Sequence, residues 1–250
     1  MSKFGLTLLV FVCVEISLPF WLSTEYVLLA MCVLLGMFMS LMFGMSMMIR
    51  ADFFVSAIHR LPNDAVMLTF DDGPHPANTP LVLDVLQEKG VKAMFFLIGK
   101  NIQAYPEITQ RIIDEGHAIG GHTYAHNHGF GFKLGKNLSR DIMKAQRYLS
   151  DLTGEEELYF RPPFGVTNPS IAQVINENKL KTVGWSVRTY DTAVALNDDR
   201  VKQLVGRIDN GAIVLLHERV DATCEALPLL IDGVREKGMK FGLLPKNKKE

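Results

Sequence analysis

Ala65-Val66-Met67-Leu68-Thr69-Phe70-Asp71-Asp72-Gly73-Pro74-His75 is an apolar run that ends in two adjacent carboxylates and a Gly-Pro breaker. The apolar part reads as a buried strand. Adjacent strand side chains point in different directions, so Asp71 and Asp72 can take different roles. Open and barrel α/β folds place chemistry at such strand ends. Alone, the same stretch also reads as an ordinary acidic turn. The rest of the chain decides between the two readings.

Outward from this stretch, short apolar runs alternate with amphipathic ones. Strands are expected at 65–71, 92–98, 117–122, 158–162, 181–187, 211–217 and 239–244, and helices at 78–89, 101–115, 137–152, 168–178, 197–209 and 222–237. Gly90, Gly116, Gly154 and Gly238 fall just past helix ends, and Asn101, Asn168 and Asn197 stand where helices would begin. The alternation predicts parallel strands with crossover helices, about seven units in all, either doubly wound or closed into a small barrel.

Before this domain lie two apolar runs. Residues 4–22 carry Glu15 and Pro19; residues 26–49 carry no charge and end at Arg50. The second is long enough to cross a bilayer, and the first is a weaker span because of its central Glu. A cleaved signal peptide fits poorly, since no small-residue cleavage site stands out. One or two transmembrane helices are therefore expected in a membrane anchor over 1–50. A juxtamembrane connector follows at 51–63, then a catalytic domain at 64–245 and a tail at 246–250. With two spans, Lys3, Arg50 and Arg60 would put the domain on the cytoplasmic side. With one, the domain could lie outside.

The net charge of −1 and the lack of a basic stripe give nucleic-acid binding no support. Cys13 and Cys32 lie in the apolar runs and Cys224 far away, a pattern that makes neither a disulfide framework nor a thiolate metal site.

Five clusters fall at or just after expected strand ends. Asp71-Asp72 is the first. The second, Gly121 to His126, carries His122 and His126 four apart, a spacing that brings two imidazoles together on one helical turn. With Asp72 as a third ligand, one Asp and two His leave positions open for water and substrate, as in a catalytic metal site. The third, Arg161-Pro162-Pro163-Phe164-Gly165, holds an Arg on stiff backbone that could fix a carboxylate base. The fourth, Trp185 to Thr192, contains Asp191, able to orient Arg161 or tune an acid. The fifth ends an apolar strand at His217, placed to act as general acid. His75 is expected at the pocket mouth, His117 and His128 at the surface or behind the site, and Tyr124 against a sugar or merely packed.

Together TFDDGP, HTYAH, RPPFG, WSVRTYD and LLHE resemble, in order, the five motifs of the NodB-type polysaccharide deacetylases, carbohydrate esterase family four. The resemblance covers about residues 64–245. It implies a deformed (β/α) barrel and metal-dependent hydrolysis of N-acetyl groups on amino sugars. Asp71 would be the base, held by Arg161. Asp72, His122 and His126 would bind a divalent metal, zinc first, with cobalt, nickel or manganese as alternatives. His217 would be the acid, and Asp191 would pair with Arg161 or with that acid. Leu215 would line the acetyl-methyl pocket, and Pro163 and Phe164 would meet substrate, the backbone N–H near Phe164 binding the oxyanion. Three positions depart from the family's pattern: Arg188 and Glu218 stand where Asp is usual, and Thr192 where Trp is usual. The expected partners are an N-acetylated glycan of the cell envelope and, through the helices, membrane lipid. Competing readings are a deacylase or deformylase of a lipid-linked amino sugar, and a non-catalytic descendant that binds glycan.

Overall fold

The computed structural model describes residues 2–154, 156 and 158–245; the expected tail at 246–250 lies outside the described residues. Eight strands form one sheet: β1 (Ala57–Ile58), β2 (Met67–Gly73), β3 (Met94–Leu97), β4 (Ala118–Gly121), β5 (Tyr159–Phe160), β6 (Lys181–Val183), β7 (Val187–Arg188) and β8 (Ile213–His217). Their order is β1-β6-β5-β4-β3-β2-β8-β7, and every pair is parallel. Seven helices accompany the sheet: α3 (Asn78–Glu88), α4 (Gly99–Ala104), α5 (Pro106–Asp114), α6 (Gly135–Thr153), α7 (Pro169–Glu177), α8 (Asp198–Arg207) and α9 (Asp221–Glu236). Two more, α1 (Lys3–Trp21) and α2 (Thr24–Ser46), precede it.

Period-two alternation sorts the strand side chains. Leu68, Phe70, Val214 and Leu216 join the cluster that includes Leu83 of α3 and Leu227 of α9, outside the sheet. Met67, Met94, Phe96, Val183, Ile213 and Leu215 fill a second cluster, inside the curl. Asp71 and His217 are register partners on β2 and β8. Each stands two residues beyond inward-facing Thr69 and Leu215, so both reach the inner face at its carboxyl end.

Four sequence expectations change. The run 181–187 is two strands, not one, because Gly184-Trp185-Ser186 crosses between the two sides of the sheet: Gly184 N donates to Ile58 O (2.9 Å) and Ser186 N to Ile213 O (3.0 Å). That crossing curls the sheet into an incomplete barrel with Trp185 inside. The run 239–244 makes only an isolated bridge, Val66 to Phe241. The helix expected at 101–115 breaks at Tyr105, since the residue before Pro106 is pushed out of helical conformation. Asn168 and Asn197 do cap helices, whereas Asn101 lies inside α4.

The connector is not a loose linker. Residues 57–58 form β1, and Ile49, Phe53, Val55 and Leu61 are buried. Packed structure thus begins before the expected boundary at 64, although residues 62–64 themselves are exposed. The helices α1 and α2 contain no buried residue, although both are long and apolar enough to cross a membrane.

Candidate active site

All five clusters reach one cleft of about 420 Å³ at the carboxyl ends of the strands. Simple alternation would turn Asp72 away from Asp71, toward the helices. Instead the β2–β3 register shifts between Asp71 and Gly73, and Asp72 takes φ +75°. This bulge re-aims Asp72, so that both carboxylates line the cleft.

Asp71 is held by Arg161, whose Nη1 donates to Asp71 Oδ1 at 2.7 Å and to Thr69 Oγ1 at 2.8 Å. Arg161 is fully buried. Its Nε and Nη2 donate to Val183 O (3.0 Å) and Gly184 O (2.7 Å), and its guanidinium carbon lies 4.1 Å from the Phe96 ring centre. Burial lowers the Arg161 pKa against the pull of Asp71. Arg161 thus holds Asp71 as expected of the third cluster, but through one Nη1–Oδ1 bond rather than a bidentate contact, and Asp71 is its only carboxylate partner among the described residues.

Ligand atoms of Asp72, His122 and His126 lie within 4.8 Å of one another. Asp72 Oδ1 is 3.6 Å from His122 Nε2 and 3.1 Å from His126 Nε2. His122 Nδ1 is 2.7 Å from Arg161 O. A carbonyl only accepts, so that nitrogen carries the proton and Nε2 presents its lone pair to the cleft. The donor set and its orientation fit a divalent metal with open positions. No helical turn brings the two histidines together, contrary to the spacing argument. Thr123 (φ +63°) and His126 (φ +47°) fold the segment back so that the rings stand 4.9 Å apart. Burial pushes His126 down to about 4. Burial would raise the Asp72 pKa, but His122, His126, His217 and the Arg219 hydrogen bond outweigh it and hold the carboxyl below its usual range.

Of the two partners expected for Asp191, the structure pairs it with His217 rather than Arg161. Asp191 accepts from His217 N (2.7 Å) and Thr223 Oγ1 (2.8 Å), and its Oδ1 lies 2.8 Å from His217 Nδ1. Burial lowers the His217 pKa, yet the Asp191 hydrogen bond and the carboxylates of Asp71, Asp191 and Asp72 raise it overall. Leu215 and Phe164 line the cleft; Pro163 is buried and outside the lining.

Sequence reasoning missed several participants. Arg219 Nε donates to Asp72 Oδ2 at 2.7 Å; its place directly after His217-Glu218 at a strand end was the available signal. Asn101 Nδ2 donates to the Asp72 carbonyl at 3.0 Å. His128, expected at the surface or behind the site, lines the cleft and stacks on Phe164. His117, by contrast, is buried and accepts from Ala93 N. Tyr124 is not in the cleft lining and packs under Lys144. Glu218 is fully buried, and burial raises its pKa to about 8.

A family model described as polysaccharide deacetylase matches residues 59–183, half of the chain. The chain belongs to the polysaccharide deacetylase family. A relative from Bacillus cereus, a peptidoglycan-N-acetylglucosamine deacetylase, is 35% identical over 72% of this chain and 66% of its own length. The deacetylase domain also superposes on solved structures. The Bc1960 peptidoglycan N-acetylglucosamine deacetylase matches with a TM-score of 0.69 and 33% identity, over 76% of this chain and 90% of that one. BA3943 from Bacillus anthracis, described as a CE4 family pseudoenzyme, matches with a TM-score of 0.66 and 29% identity, over 75% and 66%. The chain thus spans about two thirds of the length of the curated relative and of the pseudoenzyme.

Proposed function

We propose that this deacetylase is a membrane-anchored hydrolase that removes N-acetyl groups from amino sugars of a cell-envelope glycan, with a divalent metal, zinc first, held by Asp72, His122 and His126. One observation carries the reading: an Arg-held carboxylate, a three-donor metal cradle and a carboxylate-paired histidine converge on one cleft. When bound, the metal supplies polarisation of the amide carbonyl and a more acidic water. Asp71 keeps Oδ1 on Arg161, leaving Oδ2 to take the water's proton as the new C–O bond forms. The rigid Arg161 fork keeps that base aligned without rearrangement. His217, protonated through Asp191, gives a proton to the leaving amine as the C–N bond breaks, so the products are acetate and a free amino sugar. Leu215, which lines the cleft, would meet the acetyl methyl.

The membrane assignment draws on α1 and α2, predominantly apolar with no strongly polar face (Glu15 is the one charge in α1 beyond its first residue, Lys3) yet with no buried residue, a pattern suited to lipid. The non-catalytic reading is weakened by the intact set of Asp71, Asp72, His122, His126, Arg161 and His217.

Acetate release from chito-oligosaccharide and from peptidoglycan fragments, before and after chelation, tests the proposal. Release that chelation abolishes and added zinc restores is expected. Metal-replete protein inert on every N-acetylated glycan would overturn it.

A further inference from the structure

The two apolar helices do not hang from the domain on a flexible tether. Phe11 stacks on Phe38 between them, with ring centres 4.2 Å apart. Near the start of α1, Lys3 Nζ donates to Ala51 O (2.6 Å), and Phe4 packs against Phe53 and Phe54. At the end of α2, Thr167 N donates to Ser46 O at 2.9 Å. Just beyond, Ile49 is buried in the inner cluster with Trp185. A Cβ on Gly165 would stand 3.4 Å from Ile49 Cγ2. Gly165 and Thr167 belong to the loop after β5, and Phe164 and Gly165 of that loop line the cleft. The helix pair therefore ends against a wall of the active site.

Beside that wall, the turn at 130–134 presents apolar side chains outward. Asn168 Nδ2 donates to Gly131 O (2.7 Å), which ties the turn to the same loop, and Phe130 is fully buried. Yet Phe132 is 85% exposed and Leu134 66%, the most exposed large apolar side chains among the described residues of the domain. Met47 and Met48, where α2 ends, are more than half exposed as well. Exposed aromatic and aliphatic side chains next to a membrane-length helix pair suit the bilayer interface.

We infer that Phe132 and Leu134 insert into the bilayer interface beside α1 and α2. They hold the cleft mouth at the membrane surface, so the amino sugar that enters it is carried there by a lipid. The inference rests on the N-deacetylase reading and on α1 and α2 spanning the membrane. A wedge of this kind adds little to anchorage that two spans already supply; its consequence is orientation. A lipid-carried sugar confined to the same surface meets the cleft at high effective concentration, whereas a soluble glycan does not.

The test uses the full chain in nanodiscs of phosphatidylcholine and phosphatidylglycerol with brominated acyl chains. In a Trp21→Phe background, F132W emission should be strongly quenched while buried Trp185 is not. Unquenched F132W overturns the wedge whether or not the protein is active, so this arm is independent of the deacetylase reading. In the second arm, acetate release is compared for alkyl-anchored N,N′-diacetylchitobiose in the disc and the soluble sugar. F132S/L134S should lower the anchored-to-soluble ratio by about tenfold. An equal loss on both substrates would make the turn a glycan platform, and an unchanged ratio would reduce the helices to a plain anchor; either result overturns the proposal.

Discussion

Asp191 accepts from His217 N on β8 and pairs with His217 Nδ1, and it is itself held by Thr192 N and by Thr223 Oγ1 of α9; the two contacts with His217 position that ring and favour its charged form. Burial raises the Asp191 pKa, but its bonds to His217 outweigh this and lower it. The signs follow by linkage. The stability from the raised His217 is fully present below the unfolded histidine pKa and is lost as pH rises through the folded value. The stability from the lowered Asp191 is present above the unfolded carboxylate pKa and is lost as pH falls through the folded value. An acid must be protonated to act, so turnover should decline on the alkaline side as His217 deprotonates. D191N removes the main upward influence on His217 and should move that alkaline limb to lower pH in a kcat/KM profile. A limb that stays in place would detach His217 from the acid role. Arg161 acts at the same scale: R161K keeps the charge but cannot serve Asp71, Thr69, Val183 and Gly184 together. It should lower kcat more than it raises KM.

Among the elements, β2 and its bulge carry the site. A Cβ on Gly73 would lie 1.2 Å from Glu218 Oε1, so the close approach of β2 to the buried glutamate requires glycine there. Ala at Gly73 should cost about 1–3 kcal/mol by overpacking and weaken metal binding, because Asp72 is the residue directly before it. Thermal unfolding should show the loss, and E218A in the same protein should restore part of it. If G73A melts like the parent, this packing account is wrong. The bulge also marks the limit of what sequence could show. Strand ends, the motif residues and most helix ends were legible, because apolar period and capping residues are local signals. The β2 register shift, the fold-back at Thr123 and His126, and the split of 181–187 were not, because each depends on contacts with elements distant in sequence: Gly99, Lys100 and Asp141 hold the fold-back, and Ile58 and Ile213 the split. Asp191 could be narrowed to two partners from sequence, but choosing His217 over Arg161 required the packing of β7 against β8.

At the scale of the molecule, one barrel is joined without slack to two apolar helices through Ser46, Ile49 and β1. Inserting a flexible Gly-Ser segment between Ser46 and Met47 should leave metal content and hydrolysis of a soluble oligosaccharide near the parent's values while lowering turnover of a membrane-held one. Equal turnover of the membrane-held sugar by parent and insertion would separate anchorage from catalysis. In the proposed mechanism the adjacent carboxylates Asp71 and Asp72 divide into a base and a metal ligand. Metal content and acetate release, measured on the same purified samples of wild type, D71N and H122A, test that division most directly. D71N should keep the wild-type metal complement with acetate release lower by about 10²–10⁴-fold, and H122A should lose metal. Near-normal acetate release from metal-loaded D71N, or a full metal complement in H122A, would contradict it.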